Sequence, residues 1–456
     1  MTRRRQRARH AEPREVTIES MSHEGRGIAR VNGKTVFVFG ALAGERVSIQ
    51  IQRSSRKFDQ AATLEVIEAS PQRIEPACAA FRICGGCSLQ HLDIEDQLAL
   101  KQQSLLDMMA HAQIDYGELI PALRAAAWGY RKKARLGVKY VDKKGRVLVG
   151  FRERNTPFIA DMSRCEVLLP EIGHKIDRLA ELIGTLEARA QIPQILEARA
   201  QIPQIEVAAD EHRVQLVFRH LQPLSEQDQK RLAEFGAAHG YYIQLQPGGP
   251  ASLTNLFPEE QPLSFDPLGD GSLSIGFGAL DFVQVNSAIN QKMMAQALAF
   301  LDLQPYDRVL DLFCGLGNFT LPMAQRCARV TGIEVDPPMV ARAREAALAN
   351  NIHNTEYHAA DLTMPESGYS WMRQSYDKIL LDPPRSGAPE IAQLIGGFEA
   401  STIVYLSCQP SSLVRDAAII CAQGYRMTHL GILDMFPQTA HVESMAVFQQ
   451  QPGGVR

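Results

Sequence analysis

The sequence predicts an α/β protein made of a small β-barrel, a central α+β domain and a C-terminal doubly wound, mostly parallel sheet. Three observations predict it. Short alternating strands crowd residues 15–72, strand-like and helical stretches mix over 73–275, and short apolar runs alternate with helices over 276–456. A chain of 456 residues has room for two or three such cores. Its 45% hydrophobic and 22% charged residues exclude a mostly disordered, collagen-like or coiled-coil protein.

Residues 1–14 read MTRRRQRARHAEPR, with six arginines and one glutamate. Such a segment repels itself and has no apolar area to bury, so a flexible basic arm is expected. The segments EVTIES, GRGIARVNGKTVFVFG, ERVSIQIQRSSRKF and AATLEVIEA follow. They give about five short strands, with Asn32-Gly33 as a hairpin turn, and suggest a barrel of the OB type. Arg26, Arg30, Lys34, Arg53, Arg56 and Lys57 make it basic. Residues 1–165 hold 28 Lys/Arg against 18 Asp/Glu, so the remainder carries −13 of a net charge of −3. A polyanion would meet the N-terminal half, although a basic surface also simply solvates a domain.

A helix is expected from about Ile94 to His111, then adjoining strands RLGVKY and VLVGFRE, a helical 171–190, and later strands VQLVFRH and YYIQLQP. LEARAQIPQI at 186–195 recurs unchanged at 196–205. Two copies, each with a proline (Pro193 and Pro203), read as a tandem insertion in a tolerant connection and carry no chemistry. In the last part VLDLF, VTGIEV, KILLDP and TIVYLS are buried-strand runs, and HVESMAVFQQ is a late strand. No apolar run approaches the ~18 residues of a membrane span, and the basic start leads into no apolar stretch, so a cytoplasmic protein is expected.

Eight cysteines are too few for a disulfide scaffold at this length. Cys78, Cys84, Cys87 and Cys165 form a set, with Gly85-Gly86 as a tight turn between two of them. By their spacing, four thiolates could hold zinc or an iron–sulfur cluster. Cys314, Cys327 and Cys421 read as small buried hydrophobes.

VLDLFCGLGNFT at 309–320 runs from a buried strand through Gly315 and Gly317 into a helix. It lacks the GxGxxG of dinucleotide folds and the GKS/GKT of a P-loop. Asp311 beside the loop suits a cationic ligand better than a pyrophosphate, and Glu334, at the end of the next strand, stands where an acid grips ribose hydroxyls. This looks like the S-adenosylmethionine site of a Rossmann-like methyltransferase, with Asp361 a candidate adenine contact and Asp382-Pro383-Pro384-Arg385 at the carboxyl edge of the sheet.

Over nearly its whole length the sequence resembles the uracil-5 methyltransferases of structured RNA, in particular the cluster-containing bacterial kind acting on 23S ribosomal RNA. The resemblance rests on the cysteine pattern, WGYRKKARL at 128–136, DFVQVN at 281–286, DLFCGLGNFTLP at 311–322, LLDPPRSG at 380–387, SCQPSSLVRD at 407–416 and LDMFPQTAHVESM at 433–445. It implies that the barrel is a TRAM domain and that 23S rRNA or a large-subunit precursor is the partner, with no membrane and no obligate protein partner. It implies a [4Fe–4S] cluster on Cys78, Cys84, Cys87 and Cys165. Four protein ligands leave no open iron, so a structural or RNA-positioning role is expected.

Carried over residue by residue, the resemblance makes Cys408 the nucleophile and Glu443 the general base. Gln284, Phe313, Asn318, Glu334, Asp361 and Asp382 become the S-adenosylmethionine contacts. Uracil C5 is a poor nucleophile, and addition of a thiolate at C6 concentrates electron density there. A depressed Cys408 pKa is therefore expected. The target base must leave its stack, and Arg131, Lys132, Lys133 and Arg135 are candidate phosphate contacts. The alternatives are the same chemistry at another rRNA uracil or the tRNA T-loop, or a non-catalytic RNA-binding assembly factor.

Overall fold

The computed structural model describes residues 12–188, 202–258, 262–365 and 368–451. Most of the expected N-terminal arm therefore lies outside the described residues. Strands β1 (Arg14–Thr17), β2 (Ser20–Met21), β3 (Gly27–Val31), β4 (Lys34–Phe39), β5 (Arg46–Ser54) and β6 (Phe58–Glu68) form one sheet in the order β1-β5-β6-β4-β3-β2. It curls around Ile18, Val36, Val38, Val47 and Ile49. Val31 pairs with Lys34, and Asn32 and Gly33 both take left-handed φ, 51° and 78°, as a two-residue hairpin requires. EVTIES is broken at Ile18-Glu19, which yields one strand more than its alternation suggests.

The cysteine-bearing segment leads to helix α1 (Ile94–His111), whose N-cap Asp93 accepts the Glu95 N–H. Strand β7 (Glu118–Leu119) then leaves for the last sheet. The central region contains β8 (Lys133–Val141), β9 (Arg146–Gly150), α2 (Pro170–Gly173), α3 (Ile176–Thr185), β10 (Gln204–Ala209), β11 (Val214–Arg219), α4 (Glu226–His239), β12 (Tyr241–Gln246) and β13 (Thr254–Phe257). These strands make a mixed sheet in the order β13-β12-β11-β10-β8-β9. Strand β10 begins inside the second copy of the repeat, so Gln204 and Ile205 are paired sheet residues facing Gly137 and Leu136. The repeat is otherwise largely outside the described residues. A hairpin of β14 (Leu263–Phe265) and β15 (Ile275–Phe277) closes the region.

The C-terminal part runs α5 (Ser287–Leu301), β16 (Arg308–Leu312), α6 (Thr320–Ala324), β17 (Arg329–Glu334), α7 (Pro337–Ala349), β18 (Thr355–Ala359), β19 (Lys378–Leu381), α8 (Pro389–Leu394), β20 (Thr402–Ser407), α9 (Pro410–Ala422), β21 (Tyr425–Leu433) and β22 (Glu443–Gln450). Its sheet order is β18-β17-β16-β19-β20-β22-β21-β7. Pairing is parallel from β18 to β20, and β22 inserts antiparallel to both β20 and β21. Alternate residues bury on opposite faces: Leu310, Leu312, Ile379 and Ile403 in one core, Val309, Val330, Leu380 and Val404 in the other. Strand order switches direction between β16 and β19, which opens a crevice at their carboxyl ends.

The barrel seats on the cysteine segment. Leu42, Leu89 and Leu92 form a small core with Met21, Leu100 and Ala440 packed against it. Gly25 makes the approach possible, because a Cβ there would stand 2.7 Å from Leu89 Cδ2 and 3.1 Å from Ala440 Cβ. Among the described residues no helix is long and apolar enough to cross a membrane.

Candidate active site

Three strand ends converge at the crevice. The register Ser407↔Ser444 across the antiparallel β20–β22 pair sets Cys408, just after β20, beside Glu443, the first residue of β22. Asp382 directly follows β19, the parallel neighbour of β20. Gln284 Nε2 donates to Asp382 Oδ2 at 3.5 Å, so the DFVQVN segment forms the near wall.

The three titratable groups press on one another. Burial, reinforced by Asp382 and offset by Arg385 and Lys101, pushes Glu443 up to about 8. Burial pushes Asp382 up to about 6, against the opposing hydrogen bond from Gln284. Burial and then Glu443 and Asp382 push Cys408 up to about 12, and Arg385 alone among the nearby side chains opposes them. The expectation of a depressed Cys408 pKa is thus overturned. Two carboxylates face the sulfur and a thiolate there would be repelled.

The cofactor loop is strained in the way its glycines allow. Phe313, Gly315 and Gly317 have φ of 66°, 54° and 91°, and a Cβ on Gly317 would lie 2.6 Å from Leu321 Cδ1. Glu334 holds the loop from the next strand, accepting Gly315 N–H at 3.2 Å on one oxygen and Val335 N–H at 2.8 Å on the other. Asp361, after β18, accepts the Thr363 N–H and hydroxyl at 2.9 and 2.7 Å, which hold its pKa down and leave it an ionised acceptor. Asn318 exchanges reciprocal amide hydrogen bonds with Asn290 of α5 at 3.0 and 3.1 Å. Asp311 is fully buried against Thr320 Oγ1 at 2.5 Å and pushed up to about 7 by burial.

Cys78, Cys84, Cys87 and Cys165 line one pocket, together with Phe81, Gln90, Phe151 and Met162. Burial raises all four thiols, Cys87 to about 12 and Cys165 to about 11. Arg154 spans the pocket's edge, donating to the carbonyls of Cys84 at 2.8 Å and Cys87 at 2.5 Å, with its guanidinium 3.6 Å from the Phe39 ring centroid. The cysteines are gathered as expected, yet among the described residues no group of three or more His, Cys, Asp or Glu is arranged to hold a metal ion.

A groove alongside the crevice is lined by Arg131, Lys133, Arg135, Arg219 and Phe282 among others. Phe282 is 74% exposed. Lys132 is a correction. It is 5% exposed, with its ammonium over the Phe265 and Phe277 rings, so it supports the fold and meets no phosphate.

Comparison with known proteins now bears on this geometry. The family described as tRNA (Uracil-5-)-methyltransferase matches residues 269–451, and the TRAM domain matches residues 7–61. The 23S rRNA (uracil(1939)-C(5))-methyltransferase RlmD of Xanthomonas campestris pv. campestris is 47% identical over 444 residues, covering 96% of this chain and 98% of that protein. The chain belongs to the RlmD family. The Alcanivorax borkumensis member is 46% identical over 96% of this chain and 97% of its own. The Pyrococcus abyssi tRNA (uracil-54, C5)-methyltransferase, solved with S-adenosyl-L-homocysteine, superposes with a TM-score of 0.73 over 95% of this chain and 99% of that one. At 22% identity it shows a shared fold.

Within this family's fold, sequence reasoning left several residues of the site unread. Arg385 contacts His441 Nε2 at 3.1 Å and bridges the Asp382 loop to the Glu443 loop. Lys101 of α1 donates to Asp434 at 2.6 Å and to the Phe436 carbonyl at 3.0 Å. The DPPR block contains Arg385 and so offered a signal for it. A lysine in mid-helix offers none.

Proposed function

We propose that this chain methylates C5 of one uracil in 23S rRNA, position 1939 being the site printed in the names of its relatives. The observation that carries the reading is the β20–β22 register, which sets a cysteine and a carboxylate side by side at the carboxyl edge of the sheet. Cys408 adds to C6 of an extruded uracil, and the C5=C6 pair shifts toward O4 as an enolate. S-adenosylmethionine, when bound, would supply a methyl group on a sulfonium, which the enolate carbon C5 accepts as the S–CH3 bond breaks and its electron pair leaves on the thioether sulfur. Glu443 takes the C5 proton, C5=C6 re-forms, and the Cys408 sulfur leaves with the C6–S pair. The raised pKa keeps Cys408 a thiol in the free protein at neutral pH.

Gln284, Phe313, Asn318, Glu334, Asp361 and Asp382 serve as the cofactor contacts in this reading. The acceptor carboxylates of Glu334 and Asp361 suit ribose hydroxyls and an exocyclic amine, while Asn318, held by Asn290, keeps one amide N–H and one Oδ1 lone pair for the cofactor. Cys78, Cys84, Cys87 and Cys165 hold a [4Fe–4S] cluster, which supplies a cross-link between distant segments. Their shared pocket supports this, as does the Arg154 cation beside what would be a net anionic group. Domain limits stay at 1–14, 15–72, 73–275 and 276–456, with action on ribosomal RNA in the cytoplasm.

The test is methyl transfer from labelled S-adenosylmethionine to unmodified 23S rRNA, with nucleotide mapping, tRNA in parallel and Cys408→Ala as control. One Cys408-dependent 5-methyluridine in 23S rRNA is expected. Label in tRNA alone overturns the substrate, and RNA binding without transfer to either overturns the enzyme.

A further inference from the structure

We propose that Gln97 is a positioning residue for Glu443, acting through Gln438. The inference rests on the reading of Glu443 as the base. Among the described residues no hydrogen bond fixes the Glu443 carboxylate, so its place is inherited from the backbone of the 434–442 loop that delivers it into β22.

That loop is clasped at Gln438, five residues before Glu443. Gln438 is 3% exposed and takes a left-handed φ of 69°, a conformation that a residue with a side chain holds only when its surroundings impose it. Its N–H donates to Gln97 Oε1 at 2.9 Å, and its Oε1 accepts from Gln97 Nε2 at 3.0 Å. Its carbonyl accepts the N–H groups of Ser88 and Leu89 at 2.9 and 3.0 Å. Gln97, 1% exposed on α1, also has the carbonyls of Leu89 and Leu92 at 3.1 and 2.9 Å from its Nε2, whose two N–H groups are shared among these and Gln438.

One amide therefore locks the catalytic loop to the cysteine segment. Two neighbouring contacts complete the clasp: Ala440 N–H donates to Ser88 Oγ at 2.9 Å, and the Tyr130 hydroxyl donates to the Pro437 carbonyl at 3.0 Å. Cysteine addition and methyl transfer do not use Glu443, whereas removal of the C5 proton does. Loosening the clasp should therefore fall chiefly on the last step.

The experiment separates the two steps with a 23S rRNA fragment carrying tritium at uracil C5 and S-adenosylmethionine labelled in its methyl group. Under single turnover, Gln97→Met should transfer methyl within about threefold of wild type while tritium release falls tenfold or more. A denaturation-stable Cys408–RNA adduct should accumulate in step with the lag. Ser88→Ala, a milder change on the other side of the loop, should show the same lag in smaller measure and serves if Gln97→Met does not fold. Glu443→Gln is the reference. If it accumulates no adduct, the reading of Glu443 fails. If it does, while methyl and tritium fall together or not at all in the two clasp variants, the role of Gln97 is overturned.

Discussion

At the residue scale, the Cys408–Glu443–Asp382 group stores more protons than isolated side chains would. Burial raises all three. Asp382 adds to it at Glu443, both carboxylates add to it at Cys408, and Arg385 only partly offsets the rise at those two. Alkylation of Cys408 by iodoacetamide, taken as the difference from Cys408→Ala, should therefore be slow at neutral pH and still rising above pH 9. Asp382→Asn removes one of the repelling charges and should speed it at any fixed pH in that range. No acceleration would mean that Asp382 does not act on the sulfur. The same groups tie stability to pH. The folded-state pKa values of Glu443, Asp311 and Asp382 lie above their ordinary values, so the folded chain retains protons that the unfolded chain has released. Their contribution is complete below the ordinary carboxylate range and is lost as pH rises through about 6 to 8. Tm should fall over that interval, and Glu443→Gln should flatten the upper part of the fall.

At the element scale, α1 acts as a brace whose polar contacts are as buried as its apolar ones. Lys101 and Asp434 are 2% and 4% exposed and joined at 2.6 Å. Lys101→Met leaves Asp434 buried and unpaired, at a cost on the order of 3–5 kcal/mol in urea unfolding. A loss below about 1 kcal/mol would show that water reaches the carboxylate. The cofactor loop depends on its backbone instead. Gly317→Ala must place a Cβ 2.6 Å from Leu321 Cδ1 at a φ of 91°, so it should weaken S-adenosylmethionine binding at least tenfold by calorimetry. Four parallel strands of the last sheet were legible because VLDLF, VTGIEV, KILLDP and TIVYLS are short, strongly apolar runs, and α1 was legible from about Ile94 to His111. Strand β10 was hidden by the repeat it starts in. The Gln97–Gln438 pair joins residues 341 apart in sequence, and a glutamine on a helix reads as surface until its partner is seen. The Cys408 pKa escapes the sequence for a similar reason: its sign is set first by burial and then by the charges the sheet register brings near, and composition encodes neither.

For the whole molecule, the charge asymmetry of the chain becomes a division of labour only after internal ion pairs are subtracted. In the barrel, Lys34 is taken by Asp59 at 2.5 Å, and Arg46 by Glu15 and Glu68 at 3.0 and 2.7 Å. Arg53, Arg56 and Lys57 at the exposed β5–β6 turn form no ion pair among the described residues. These three, with Arg131, Lys133 and Arg219 in the groove near the crevice, are among the cations free to meet phosphate. Each phosphate contact to single-stranded RNA adds a salt slope of about 0.7 in log K against log salt. Replacing Arg53, Arg56 and Lys57 together by alanine should flatten the slope of rRNA binding by about 2, while kcat at saturating RNA stays within about twofold. The measurement is filter binding from low to moderate salt beside saturating turnover. An unchanged slope would assign the barrel a purely structural seat on the cysteine segment. A loss of kcat at saturation would mean instead that the barrel reaches the reacting base through Gly25, Leu89 and Ala440, the contact by which it already touches the loop that delivers Glu443.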